Sequence, residues 1–184
     1  SYLDTLPTED RITIQSGPFA GGTTMQVSKL EHDLSKWYDR DQIERTELMF
    51  SPAHDVEQVG DVGENLAASS GMSEDITEQI STHARENGRV GHGQKLAQAS
   101  DEDFGVKILR RDFNSIEEPG LHFDSWQRGI SDFLDIRRAM NGENVDVDLE
   151  DSEDGILGFI YVTNRATFLM PPRSLRALPS PQPE

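Results

Sequence analysis

The sequence predicts an α+β protein built on an antiparallel sheet with helices packed on one face. Three observations carry this. Short alternating or apolar segments, each bounded by Gly or Pro, recur at both ends of the chain and in its second half. One strongly amphipathic stretch, 130–140, lies between them. Strands that run into a helix and return to strands build a sheet with helices against it rather than an all-helical bundle.

In chain order, a polar lead-in gives way to a short alternating stretch at Arg11–Gln15. The turn-rich Gly17–Gly22 opens a strand over Thr23–Leu30, where Met25 and Val27 alternate with polar neighbours. Helical spacing follows over Glu31–Tyr38 and again over Asp41–Phe50. Residues 51–72 carry Pro, Gly and acids without periodicity and read as a surface loop. Ser73 is a candidate N-cap for a short helix through Ser81, and Asn87-Gly88 breaks it. Val106–Phe113 and Leu121–Trp126 read as strands around the turn-forming Glu118-Pro119-Gly120. Ile130, Phe133, Leu134 and Met140, with the stem of Arg137, mark the 130–140 helix, which Asn141-Gly142 closes. An acidic loop, 143–154, leads to strands over Ile156–Val162 and Ala166–Met170. One domain is expected over 1–178, with 179–184 as a mobile Pro-rich tail.

Charge narrows the function. There are 34 Asp+Glu against 17 Lys+Arg, a formal net charge of -17, which repels phosphate backbones and anionic membranes. Nucleic-acid partners are therefore not expected. Only four of the basic residues are lysines: Lys29, Lys36, Lys95 and Lys107. Abundant acid with scarce lysine suggests adaptation to high salt, where screening shortens self-repulsion. There is no Cys, hence no disulfide, thiolate metal site or cysteine nucleophile. No apolar run reaches the ~20 residues of a membrane span. The sequence opens at Ser1 without Met or signal peptide, so a longer precursor or upstream segment is expected.

The histidines are the natural candidates for chemistry. His32 and His54 lie in polar contexts, His83 reads as a helix-end residue beside Arg85 and Glu86, and His122 sits on a strand. His92 differs, because it stands between Gly91 and Gly93, where the backbone can approach a flat ligand closely. It is followed by an arginine-bearing strand, Lys107–Arg111, which suits an anionic ligand. No His-Glu-x-x-His triad, Gly-x-Ser-x-Gly elbow or phosphate-binding Gly loop occurs.

Four segments together resemble the C-terminal half of the dye-decolourising peroxidase (DyP-type) family, over about Gly17 to Met170. Gly21–Leu30 followed by Leu34…Trp37-Tyr-Asp-Arg40 resembles the family's glycine-led strand and its helix ending in Trp-Asp-Arg. Gly91–Ala97 resembles the stretch with the proximal haem histidine. Lys107–Arg111 and Gly120–Arg128 resemble the Ile/Met-Leu-Arg and Gly-Leu-x-Phe-x-x-x-Gln-Arg strands. The form resembles a divergent branch such as those of salt-loving archaea.

The resemblance implies a ferredoxin-like sheet, haem b (iron protoporphyrin IX) as cofactor, and peroxide and an organic electron donor as substrates. It implies His92 as iron ligand, with His83 as fallback, and Arg110 as the distal arginine that stabilises charge as the O–O bond breaks. Asp154 would accept a hydrogen bond from the proximal histidine, and Arg111 would meet a haem propionate. Trp37, Trp126 and Tyr161 would relay electrons or simply pack.

The sequence also departs from the pattern. The family's Gly-Phe-x-Asp-Gly motif is absent; it would fall at or before Ser1-Tyr-Leu-Asp4, and Asp4 has no Gly-Phe before it. The N-terminal half of the family fold is not represented, so a companion N-terminal segment or polypeptide is implied, and homo-oligomers are allowed. Three readings follow: a DyP-type peroxidase or its haem-bearing part, a haem-handling protein with little peroxidase activity, and a partner subunit that kept the fold and lost haem. The resemblance accommodates export in folded form as well as a cytoplasmic location.

Overall fold

Four strands form one sheet in the order β2-β3-β1-β4, with β1 at Thr23–His32, β2 at Leu109–Asn114, β3 at Gly120–Gln127 and β4 at Ile160–Met170. The computed structural model describes residues 9–52, 76–99, 107–143 and 145–176. The hairpin pairs β2 and β3 antiparallel, from Leu109↔Trp126 to Asn114↔Leu121. Thr24 Oγ1, at the start of β1, donates to the carbonyl of Gln127 at the end of β3 (2.8 Å). Thr167 Oγ1 on β4 donates to Gln26 Oε1 (2.7 Å), and Thr163 Oγ1 reaches the Lys29 carbonyl (3.3 Å). Residue numbers thus fall on one strand as they rise on its neighbour, and all three pairings are antiparallel. The sheet is the predicted α+β, ferredoxin-like one, a βαββαβ succession in which helices link β1 to β2 and β3 to β4.

The helices, among the described residues, are α1 (Glu9–Ile12), α2 (Leu34–Tyr38), α3 (Gln42–Met49), α4 (Ile76–Asn87), α5 (His92–Gln98) and α6 (Ile130–Met140). Side chains cap two of them. Asp33 accepts from Lys36 N (2.9 Å) to open α2. Asp41 accepts from Glu44 N (2.9 Å) while the Glu44 carboxylate accepts from Asp41 N (3.2 Å), a reciprocal capping box on α3. Helix α6 has the bounds that the apolar spacing predicts, and it buries Phe133, Ala139 and Met140.

The chain divides into two compact units. The first comprises Ser1–Leu30, Gly105–Leu134 and Val162–Glu184 and carries most of the sheet. The second comprises Glu31–Phe104 and Asp135–Tyr161. Its apolar centre is Ile80, Ala84 and Val90, with Val145, Val147 and Leu149 packed against them. That packing explains why an acidic stretch such as 143–150 stays attached: every second residue is apolar and faces α4 and Val90.

Several local expectations are revised. The alternating stretch Arg11–Gln15 starts in a helix: α1 ends at Ile12, and Ile14 exchanges backbone bonds with Gly21 and Gly22 (2.8 Å each). On β1 the buried residues are Gln26 and Ser28 rather than Met25 and Val27, because β4 supplies hydrogen-bonding partners in Thr167 and Arg165. The apolar run at 156–162 does not begin as a strand. Gly155–Phe159 is a 3-10 turn, and β4 then runs unbroken over Ile160–Met170. The Ser73 cap, His54, Asp4, most of the 51–72 loop and the tail from Pro179 lie outside the described residues.

Candidate functional site

Within the second unit, two segments far apart in sequence run side by side. Val90 and Asp154 form a parallel bridge, and Val90 N donates to the Glu153 carbonyl (3.1 Å). This lays Arg89-Val90-Gly91-His92 along Glu153-Asp154-Gly155.

Charge fixes the alignment. Glu153 forms ion pairs with two arginines, Arg40 at 2.6 Å and Arg89 at 2.9 Å. Arg89 also pairs with Glu47 (2.8 Å) and Glu44 (3.4 Å) on α3, and Arg40 with Glu44 (3.2 Å). Burial works against the charge on Arg40, but Glu153 and then Glu44 more than compensate, and its pKa is raised. Glu44 is held below the usual carboxylate range, first by the Asp41 amide, against partial burial, with Arg40 and Arg89 adding to the effect. A network whose members are each only one-sixth to one-third exposed is screened less than a surface pair.

Glycines permit the close approach. A Cβ on Gly91 would stand 1.9 Å from the Phe50 carbonyl oxygen, so no side chain fits there. Gly155 has φ +70°, and a Cβ on it would meet His92 N at 3.2 Å and Lys95 Cε at 3.3 Å. His92 thus starts α5 half-buried, with the Asp154-Gly155 backbone against its own.

The polar groups next along α5 are inside. Gln94 and Lys95 are both fully buried. Gln94 Oε1 accepts from Gly91 N (3.0 Å), which orients the amide so that its Nε2 faces His83 Nδ1 at 2.7 Å. His83 Nδ1 must then accept, leaving the proton on Nε2. His83 is therefore a buttress of the turn before His92, not the helix-end residue its neighbours suggested. Lys95 Nζ donates to the Asp154 carbonyl (2.7 Å) and lies 2.9 Å from Asp154 Oδ1. Burial lowers the Lys95 pKa, and Asp154 opposes the shift.

The structure brings His92 and Asp154 into one unit, though they are 62 positions apart. Arg110 and Arg111 belong to the other unit, on edge strand β2, and both are exposed. Arg111 Nη1 donates to the Arg110 carbonyl (2.7 Å). Trp37 meets Phe159 edge-on, with ring centroids 5.1 Å apart, and Trp126 is half-buried on β3. Tyr161 is exposed and His122 is exposed; His32 is half-buried at the end of β1. Lys95 is the residue that sequence reasoning missed. The available signal was the scarcity of lysine in a chain that otherwise uses arginine.

Among the described residues, a concavity of about 280 Å³ lined by Trp37, Tyr38, Gln42, Arg45, Thr46, Met49 and Phe50 contains none of these groups. It is smaller and more open than the ~300–1,000 Å³ usual for small-molecule sites. Among the described residues no group of three or more His, Asp or Glu is arranged to hold a metal, and no helix is long and apolar enough to cross a membrane.

Solved structures of dye-decolourising, DyP-type proteins share its fold. A dye-decolorizing protein from V. cholerae is 20% identical with a TM-score of 0.52, over 87% of this chain and 45% of its own. A putative DyP-type peroxidase from Shewanella oneidensis is 19% identical with a TM-score of 0.53, over 88% and 45%. A Rhodococcus jostii RHA1 DypB variant in complex with heme is 22% identical with a TM-score of 0.56, over 92% and 50%. At these identities the likeness is one of fold, and the chain spans about half the length of the structures it matches. The chain itself belongs to a family of unknown function (DUF7405), whose model matches residues 1–172. No curated protein matches it.

Proposed function

We propose that this chain binds haem b through His92 and forms the haem-bearing part of a DyP-type peroxidase, a single haem-binding domain over 1–178. The observation that carries the reading is the setting of His92: half-buried, flanked by glycines, braced by the ion-paired Glu153 and the turn at Asp154-Gly155, on a fold whose matched structures include haem complexes. The residues fit such a group. An imidazole at the start of a braced helix would be a suitable ligand for its iron. His83 is the weaker ligand, because Gln94 occupies its Nδ1 and leaves its Nε2 protonated.

Bound haem would supply the site for peroxide and the store for its oxidising equivalents. The protein's part is then to hold and polarise. His92 would hold the iron. Arg110 would bring a permanent positive charge that favours an anionic peroxide and stabilises developing negative charge on oxygen. Arg111 would pair with a propionate. An organic donor returns the electrons, with Tyr161 the most exposed of the aromatic candidates. The acidic, lysine-poor composition suits a high-salt setting, in a branch resembling those of salt-loving archaea; a companion N-terminal segment or polypeptide would complete the fold, and homo-oligomers are allowed.

Haem handling with little peroxidase activity is the second reading, favoured by one observation: the Asp154 carboxylate is paired with Lys95. The test is haem titration of the purified protein. A Soret band that forms with wild type and is lost in His92→Ala is the expected result; no uptake at all would leave a partner subunit that kept only the fold. With haem retained, Arg110→Ala should lower peroxide-dependent dye oxidation by about 10²–10³-fold, as for loss of one charge-stabilising donor. Negligible oxidation by wild type would favour the handling reading. Repeating the titration in molar KCl tests the salt assignment, which predicts uptake that improves with salt.

A further inference from the structure

We infer that the outer edge of β4 is the surface through which two copies of this chain associate, their β4 strands pairing antiparallel about a two-fold axis. The inference needs no haem and stands on the sheet alone.

Strand β4 is last in the order β2-β3-β1-β4, so β1 takes one of its edges and, among the described residues, no strand pairs with the other. It is eleven residues long and nine of them are exposed, whereas none of the ten on β1 is. A free edge of that length presents a row of unpaired amides and carbonyls. Natural sheets blunt such edges with charge, proline, short strands or a cover. The opposite edge follows that rule: β2 has six residues, and Arg110, Arg111 and Asp112 are three of them. On β4 the single charge is Arg165, whose Nε turns back to Ser28 Oγ on β1 (3.4 Å). No proline interrupts the strand before Pro171. Val162 and Phe168 share one face by the two-residue period, and Leu169 is on the other. Each keeps close to half of its surface exposed, at 47%, 49% and 44%.

Charge says what fits this edge. The sequence has 34 Asp+Glu, yet none falls between Gly155 and Pro183, its longest acid-free run. Of the four described strands, β4 alone has no acid. Two copies that each carry a net charge of -17 repel wherever acidic surfaces face each other. A two-fold contact puts the same segment on both sides, so at β4 neither copy brings an acid. A strongly acidic partner of another kind would call for a row of cations, and β4 has one arginine. Its Tyr, Val, Thr and Phe are residues that pair well across strands.

Symmetry also selects the register. An axis through Arg165 would set two guanidiniums directly opposite each other, which is destabilising. An axis through Ala166 places Arg165 opposite Thr167 and Val162 opposite Met170, with the smallest side chain of the strand at the centre. The face that carries Val162 and Phe168 then continues across the join.

The experiment exploits the absence of native cysteine. In the full chain, Ala166→Cys puts one thiol at the axis, and Phe113→Cys puts one on the exposed β2 edge. Residues directly opposite in an antiparallel pair have Cα atoms about 4.5–5.5 Å apart, within disulfide reach. In a glutathione redox buffer, Ala166→Cys should become a disulfide-linked dimer while Phe113→Cys stays monomeric. Sedimentation velocity of wild type over a concentration series should show a monomer–dimer equilibrium that molar KCl strengthens by screening the remaining repulsion. Phe168→Glu, which returns an acid to each side, should raise the dimer dissociation constant by about tenfold or more. Wild type that is monomeric at every concentration and salt overturns the inference, even where a separate polypeptide binds the strand. A dimer that Phe168→Glu leaves unchanged, or that Phe113→Cys cross-links in place of Ala166→Cys, overturns it as well. Should Phe168→Glu fail to fold, the two cysteine variants decide, since Ala166→Cys exchanges one small side chain for another.

Discussion

The unit that carries His92 and the unit that carries Arg110 hold their candidate residues in opposite ways. Around His92, backbone touches backbone: Gly91 against Phe50, Gly155 against His92, Val90 bridged to Asp154. Buried glutamine and lysine and a five-membered charge network complete the setting. Arg110 and Arg111 instead stand exposed on an edge strand, their backbone placed by pairing with Ser125 and Asp124. The His92 setting is preorganised by contacts that a single added carbon disrupts. The arginines are placed by strand register, with one further bond from Arg111 Nη1 to the Arg110 carbonyl. The proposed roles would have these different needs: a metal ligand is set by direction, whereas a guanidinium acts at a distance through its charge.

The contrast is broken most directly by Gly91→Ala. A methyl 1.9 Å from the Phe50 oxygen forces two backbone segments apart, and we expect a loss of about 3 kcal/mol or more in denaturant unfolding, at the upper end for overpacking. The matched change in the sheet unit, Arg111→Ala, removes an exposed side chain and should stay within about 0.5 kcal/mol. Similar costs for the two would erase the distinction. Of intermediate size, Glu153→Gln removes the charge shared by Arg40 and Arg89 and should cost roughly 1–3 kcal/mol, read from the same unfolding curves.

The smallest effect sharpens the electrostatic side. Glu44 has a lowered folded-state pKa, so the unfolded chain binds its proton more readily. Its stabilisation is fully present above the unfolded value of 4.5 and is lost as pH falls through the folded value. The difference in melting temperature between wild type and Glu44→Gln should therefore be constant near neutrality and narrow below 4.5. A gap that does not narrow in acid would show that the capping geometry, not the charge, is what matters.

The sequence made the sheet and its helices legible where the signal is local. Helix 130–140 has its apolar spacing and its closing Gly142, and the β2–β3 hairpin has Glu118-Pro119-Gly120. The 3-10 turn at Gly155–Phe159 was hidden, because Ile156-Leu157-Gly158-Phe159 has the composition of a strand and is turned by contacts with α2 and α3 as well as α5. Buried polar residues misled in the same way. Gln26 and Ser28 look like the outward half of an alternating strand until Thr167 and Arg165 appear beside them. At the site, the Gly91-His92-Gly93 peculiarity was visible, but Lys95 in Gln-Lys-Leu-Ala-Gln reads as a solvated helix residue. Its partner is 59 positions away, beyond any local pattern. Three of the four lysines have such specific partners: Lys29 with Glu117 and Glu118, Lys36 with the Gly158 carbonyl, Lys95 with Asp154.

The Lys95–Asp154 pair and the Gly91–Phe50 contact also set different rules for how this sequence can drift. Gly91 is pressed against a carbonyl that every residue type possesses, so position 50 is free to vary while position 91 is not. Lys95 and Asp154 answer to each other, since losing one leaves a buried charge unpaired, at about 3–5 kcal/mol. Related chains should therefore keep glycine at the first site whatever faces it. They should exchange the second pair only together, for two neutral residues or a reversed couple.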